Sequence, residues 1–196
     1  MKVLFIGNSY TYFNDLPSLF AKICRENGFE AEADSVTAGG YTLEQFLLPD
    51  NENGIKARAL LADKKYDYVV LQEQSVRPAS DPELFFSAVR GLTELINKNG
   101  AKPVLYETWA RADGSAVLTE LGWDGDTMQE KLKRSYEKAA ADNKAVVVYA
   151  GEKLREAYKR GEPVYDPDGS HPSPLGSQIA AEEFYRTLTA QVNKKE

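Results

Sequence analysis

The stretch KVLFIGNSYTYFNDLP, residues 2–17, runs from a continuous apolar segment into Gly7-Asn8-Ser9 and only then into a helical pattern. An apolar run without polar alternation is what a strand covered on both faces requires. The helix that follows, DLPSLFAKICRENG, is expected to be capped by Asp15 and closed by Gly28. A plain strand-to-helix connection needs one turn residue and one cap. Placing a small residue, an amide and a hydroxyl at the strand tip leaves two uses for Ser9, to cap or to react.

Working outward, apolar runs and helical patterns alternate along the whole chain. FEAEADSVTAGG contains a second strand, and YDYVVLQ, KPVLYET and AVVVYA give three more. Between them lie a short helix at TLEQFLL and helices at 55–63, 127–142 and 151–160. SDPELFFSAVRGLTELINKNG carries Asp81 as cap, Pro82 in the first turn and Gly100 as stop. Ser173-Pro174 opens the last helix, with Ile179, Ala180, Phe184, Leu188 and Val192 in one stripe. This order predicts an α/β protein: a three-layer α/β/α sandwich around a five-stranded parallel sheet, in one domain over residues 1–196. Ligands of such sheets bind outside the carboxyl ends of the strands. Those ends carry Asn8-Ser9, Ala38-Gly39-Gly40, Gln72-Glu73-Gln74-Ser75 and Glu107-Thr108-Trp109.

Composition removes several function classes. A net charge of −6 and no clustered Lys and Arg argue against a nucleic-acid partner. One cysteine, Cys24, and one histidine, His171, build neither a disulfide nor the usual zinc sites, so no metal is expected. Cys24 falls on the apolar pattern of its helix and is expected in the core. The chain passes from Met1-Lys2 straight into a strand too short for a secretory signal, and no later segment is apolar enough to span a bilayer. A cytoplasmic protein with no membrane partner is the expectation.

A serine nucleophile needs a general base, and histidine suits that work near neutral pH. If Ser9 reacts, His171 must serve it, unless a carboxylate or lysine does. Asp168 stands three residues before His171, and a turn of that length can set a carboxylate on the imidazole. Taken alone, each residue also has a plain role: Ser9 a cap, Asp168 a turn residue, His171 a solvated turn histidine. Their conjunction at a strand end and before the final helix favours chemistry.

Three blocks carry a resemblance to a known family. FIGNSYTYFNDLP resembles the first block of the SGNH (GDSL-type) hydrolases, and DGSH followed by PSPLGSQIAAEEF resembles their last. TAGGYTLE resembles the second block, and YVVLQEQSVRP takes the place of the third. The resemblance implies a flavodoxin-like SGNH hydrolase fold and a serine esterase that needs no cofactor. It makes Ser9 the nucleophile, His171 the base and Asp168 the residue orienting it. Ser9 N–H, Gly40 N–H and Gln74 would hold the oxyanion. Asn8 stands where the family has aspartate, and Gln74 where it has asparagine; Gln72 is the competing donor. If the extended chain persists past YDYVVLQ, Gln72 and Gln74 share a direction, with Gln74 farther out and Gln72 supporting the loop from behind.

The segment 109–126 is long for a connection, and long connections at strand ends are often functional. Trp109, Arg111 and Trp123 are candidates to meet a sugar face or an acyl group; the tryptophans would equally serve to hold their own loop. Tyr10, Tyr12 and Phe13 either wall the site or pack in the core, and Asn8 and Gln72 are further candidates to touch substrate. The leading expectation is an esterase acting on a small ester, such as an acylated sugar. Two binding modules compete with it: a non-hydrolytic SGNH-like glycan binder, and a flavodoxin-like protein that grips a flavin phosphate.

Overall fold

A computed structural model describes residues 1–192. In chain order the elements are β1 (Lys2–Gly7), α1 (Ser9–Tyr12), α2 (Leu16–Glu26), β2 (Glu32–Thr37), α3 (Glu52–Asp63), β3 (Tyr68–Leu71), α4 (Arg77–Ser80) and α5 (Pro82–Asn99). Then come β4 (Lys102–Tyr106), α6 (Ala116–Leu121), α7 (Gly125–Asn143), β5 (Val146–Val148), α8 (Ala150–Lys159) and α9 (Pro174–Val192). Short 3-10 segments cover Phe13–Asp15 and Leu43–Leu47.

The five strands are parallel and ordered β2-β1-β3-β4-β5, with Phe5 beside Val70 and Val70 beside Val104. Successive residues of β1 face opposite ways, and both ways are apolar. Leu4 and Ile6 join Val69, Leu71 and Leu105 in a core shared with α3, α5 and α7. Val3 and Phe5 join Tyr68, Val70 and Tyr106 in a second core with α2, α8 and α9. This double coverage is why the strands read as unbroken apolar runs. Cys24 is buried in the second core, and burial pushes its thiol up to about 11.

Several expected boundaries shift for local reasons. Asp15 does not cap α2: it adopts a left-handed conformation (φ 50°), and its side chain makes no cap hydrogen bond. The cap that operates is Asn8, whose Oδ1 accepts from Tyr10 N–H and starts the one-turn helix α1. Asp81 likewise precedes α5 without a cap bond, whereas Gly28 (φ 81°) and Gly100 (φ 88°) follow their helices as expected. The long connection after β4 contains α6, capped by Ser115. Strand β3 stops at Leu71, one residue before Gln72, so the extended path does not persist and Gln72 and Gln74 part company.

The strand order places β1 next to β3 at the centre, with their crossovers leaving in opposite directions. That is the switch point where an open parallel sheet leaves a crevice at its carboxyl edge.

Candidate functional site

The tip of β1 is fixed from beneath by Gln72. Its Oε1 accepts from Asn8 N–H and from Thr11 Oγ1, each at 2.8 Å, while its Nε2 donates to Asn8 Oδ1 at 2.9 Å and to Glu73 O. Gly7 is required for this approach. A Cβ there would lie 2.6 Å from both Gln72 Oε1 and Thr11 Oγ1. Asn8 then donates from Nδ2 to Tyr41 O at 2.8 Å, tying the strand tip to the loop that carries Gly40. Asn8 and Gln72 thus both serve the scaffold. Gln72 is wholly buried, does not line the cavity above and has both Nε2 protons engaged, whereas Asn8 lines the cavity and has one Nδ2 proton bonded to no described residue.

Ser9 is the first residue of α1 and lies at the floor of a cavity of about 340 Å3. Ser9 Oγ stands 2.9 Å from His171 Nε2, and His171 Nδ1 meets Asp168 Oδ2 at 2.5 Å. The amides of Ser170 and His171 both donate to Asp168 Oδ1, each at 2.9 Å. Partial burial would raise the Asp168 carboxyl, but the His171 ring and these two amides outweigh it and hold the group below the usual aspartate range. An ionised Asp168 can only accept, so the proton on the imidazole sits at Nδ1 and leaves Nε2 free to accept from Ser9. A hydroxyl, an imidazole and a carboxylate joined in this order can carry a proton off the hydroxyl.

The imidazole is also clamped by packing. Phe13 stacks on it at 4.2 Å between centroids, and Tyr10 meets its edge at 5.8 Å. Tyr10 in turn stacks on Trp109 at 4.4 Å and bonds Ser170 Oγ through its hydroxyl. Trp109 is therefore not a substrate platform. It is fully buried behind Tyr10, with Nε1 donating to Ser170 O at 2.9 Å, and it supports the Asp168–His171 loop. Trp123 packs at the edge of the α5–α7 core beneath Lys131, also away from the cavity. Tyr12 is largely exposed.

Gly40 and Gln74 reach the cavity wall from the β2 and β3 ends. Gly40 has φ 72°, a conformation glycine takes without strain. Among the described residues, neither the Ser9 nor the Gly40 amide finds a hydrogen-bond partner in another residue. Gln74 Oε1 accepts from Val76 N–H and Arg77 N–H, and its Nε2 bonds no other described residue. Arg111 lines the wall opposite, with its guanidinium 5.9 Å from the Tyr10 ring centroid. Ser9, His171, Asp168, Gly40, Gln74 and Arg111 thus meet at one cavity. Sequence reading missed Ser75, which holds Arg111, and Ser170, which locks the Asp168–His171 turn; Ser170 lay in plain view inside the Asp-x-x-His block, and Ser75 had no signal beyond its strand end.

This geometry can be set beside known proteins. A Slackia heliotrinireducens protein assigned by its description to the SGNH hydrolases matches over 96% of this chain and 98% of its own, with 34% identity and a TM-score of 0.87. The chain belongs to the SGNH hydrolase family. Two further solved structures share the fold of this SGNH hydrolase. A DUF4886 family protein from Bacteroides uniformis has 20% identity and a TM-score of 0.73, covering 97% of this chain and 83% of that one. An acetyl xylan esterase variant from Geobacillus stearothermophilus has 17% identity and a TM-score of 0.66, covering 95% and 94%. No protein-family model and no curated protein matches the chain. Among the described residues, no helix of the SGNH hydrolase is long and apolar enough to cross a membrane.

Proposed function

We propose that this SGNH hydrolase cleaves small esters through Ser9, and the observation that carries the reading is the hydrogen-bonded series Ser9–His171–Asp168 at the cavity floor. Ser9 Oγ attacks the ester carbonyl as its proton passes to His171 Nε2, and Asp168 stabilises the imidazolium. Negative charge gathers on the former carbonyl oxygen, which Ser9 N–H, Gly40 N–H and Gln74 Nε2 receive. The C–O bond to the alcohol then breaks, and His171 returns its proton to the departing alkoxide. Water attacks the acyl-enzyme in a second round, His171 taking one of its protons and returning it to Ser9, which frees the acid. The chemistry calls for no cofactor.

A cavity of about 340 Å3 has room for a small acyl group with its immediate neighbours. Acetyl xylan esterases among the structural neighbours support a short acyl group on a sugar as the substrate type. A binding module for glycans or flavin would leave the Ser9–His171–Asp168 series without a use.

A fluorophosphonate probe followed by peptide mass spectrometry tests the reading. Labelling is expected at Ser9, and Ser9→Ala should fold normally, escape the probe and lose hydrolysis of 4-nitrophenyl acetate. Substantial turnover by well-folded Ser9→Ala would move the nucleophile elsewhere.

A further inference from the structure

Arg111 is, among the described residues, the only Lys or Arg lining the cavity that holds Ser9 and His171. It is half-buried, and among the described residues no carboxylate lies within ion-pair distance of it. Its Nη2 donates at 2.7 Å to Ser75 Oγ, a neutral hydroxyl on a side chain that is itself buried. Its Nε is shut off from solvent without a partner among the described residues. Arg155 shows the ordinary alternative in this same chain: more deeply buried, it meets both Asp113 and Asp126. Asp168 shares the cavity with Arg111, yet its oxygens are already taken by His171 and Ser170.

Withdrawing a guanidinium from water without a counter-charge is unfavourable, and the planar fork of arginine matches a carboxylate in two parallel bonds. Ser75 and the Tyr10 ring hold that fork at the cavity wall instead of letting it swing to solvent. We infer that Arg111 is a carboxylate-binding subsite, so that the preferred substrate is an ester bearing a carboxylate a few bonds from the scissile carbonyl. The acid group belongs either to the acyl part, as in a half-ester of a dicarboxylic acid, or to the alcohol part, as in an acylated hydroxy acid or uronate. This rests on the hydrolase reading above.

Matched esters separate the two sources. Mono-4-nitrophenyl succinate carries the charge on the acyl side and is compared with 4-nitrophenyl acetate; 4-acetoxybenzoate carries it on the alcohol side and is compared with phenyl acetate. One charged ester should exceed its neutral partner in kcat/KM by about tenfold or more, chiefly through KM, the size of effect expected for a charged hydrogen-bond pair. In Arg111→Met that charged-to-neutral ratio should collapse about tenfold, and Arg111→Lys should recover part of it. No preference in the parent protein, or an equal loss on charged and neutral esters in Arg111→Met, overturns the inference; the equal loss would assign Arg111 to the oxyanion. A second measurement needs no turnover: calorimetric titration of Ser9→Ala with free succinate, repeated in Ser9→Ala/Arg111→Met. Binding lost in the double variant upholds the subsite even if no ester is cleaved and the probe leaves Ser9 unlabelled, which would overturn the hydrolase reading alone. No binding to Ser9→Ala overturns the subsite.

Discussion

Gln74 divides its amide between two tasks. Its oxygen accepts from Val76 and Arg77 N–H and starts α4, which leaves the NH2 end without a described partner at the cavity wall. Gln74→Glu keeps the accepting oxygen and removes the donor, so it tests the oxyanion role without cutting the turn. Its kcat should fall roughly 10²–10³-fold with KM little changed, while the urea midpoint stays near that of the parent. Gln72→Ala should behave differently. It strips buried Asn8 N–H and Thr11 Oγ1 of their acceptor, so stability should fall by about 1–3 kcal/mol for each group left unpaired, read by urea unfolding. The sequence distinguished these glutamines only in part. Their order along the chain suggested which lay farther out, but their directions depend on β3 ending at Leu71, a fact of sheet register that no local pattern carries. The sequence leaves Trp109 open between two roles for a related reason: an aromatic at a strand end looks the same whether it faces the cavity or backs it. Ser9, His171 and Asp168 were legible because a lone histidine has no rivals and its carboxylate partner is three residues away.

At the scale of elements, Glu73 joins the two arms that carry the proposed donors. Its carboxylate accepts from Gln74 N–H at 2.6 Å and from Leu43 N–H at 3.1 Å, so the Gly40 loop and the Gln74 loop share one buried anchor. Neither segment could fix the other through backbone pairing, because β1 lies between β2 and β3. Glu73→Ala should therefore leave two buried amides unsatisfied, with a loss of about 1–3 kcal/mol for each. It should also lower kcat through loosened donor geometry while Ser9 still reacts slowly with the fluorophosphonate probe. An unchanged kcat in a folded variant would confine Glu73 to stability. The elements themselves were readable from apolar periodicity, since strands covered on both faces and amphipathic helices leave strong patterns. The caps were not, because Asp15 and Asp81 have the right chemistry but the wrong backbone geometry. Asn8 took the capping role that Ser9 could have filled, which is how the hydroxyl of Ser9 remains available.

For the whole molecule, the carboxyl edge of the sheet gathers acidic groups that burial makes hard to ionise. Desolvation pushes Glu73 up to about 7, against the Gln74 and Leu43 amides. It pushes Glu107, at the end of β4, up to about 8, against hydrogen bonds from Glu152 N–H and Gln129 Nε2. In the unfolded chain both would titrate near the ordinary glutamate value of about 4.3. Between that value and 7 or 8, the folded state holds more protons than the unfolded one, so stability declines as pH rises through this window. Asp168 acts in the opposite sense: its carboxyl is lowered in the fold, so its contribution is present above the ordinary aspartate value and is lost as pH falls through its folded value. Maximum stability should accordingly lie on the acidic side of neutrality. Urea unfolding from pH 5 to pH 8.5 should show a decline on the order of a few kcal/mol. Glu107→Gln removes the group with the higher value and should flatten the decline above about pH 7, leaving Glu73 to carry the part below it. Stability that rises across this range in the parent protein, or a slope that Glu107→Gln leaves unchanged, would mean that Glu107 is ionised in the fold and held by its Gln129 and Glu152 donors instead.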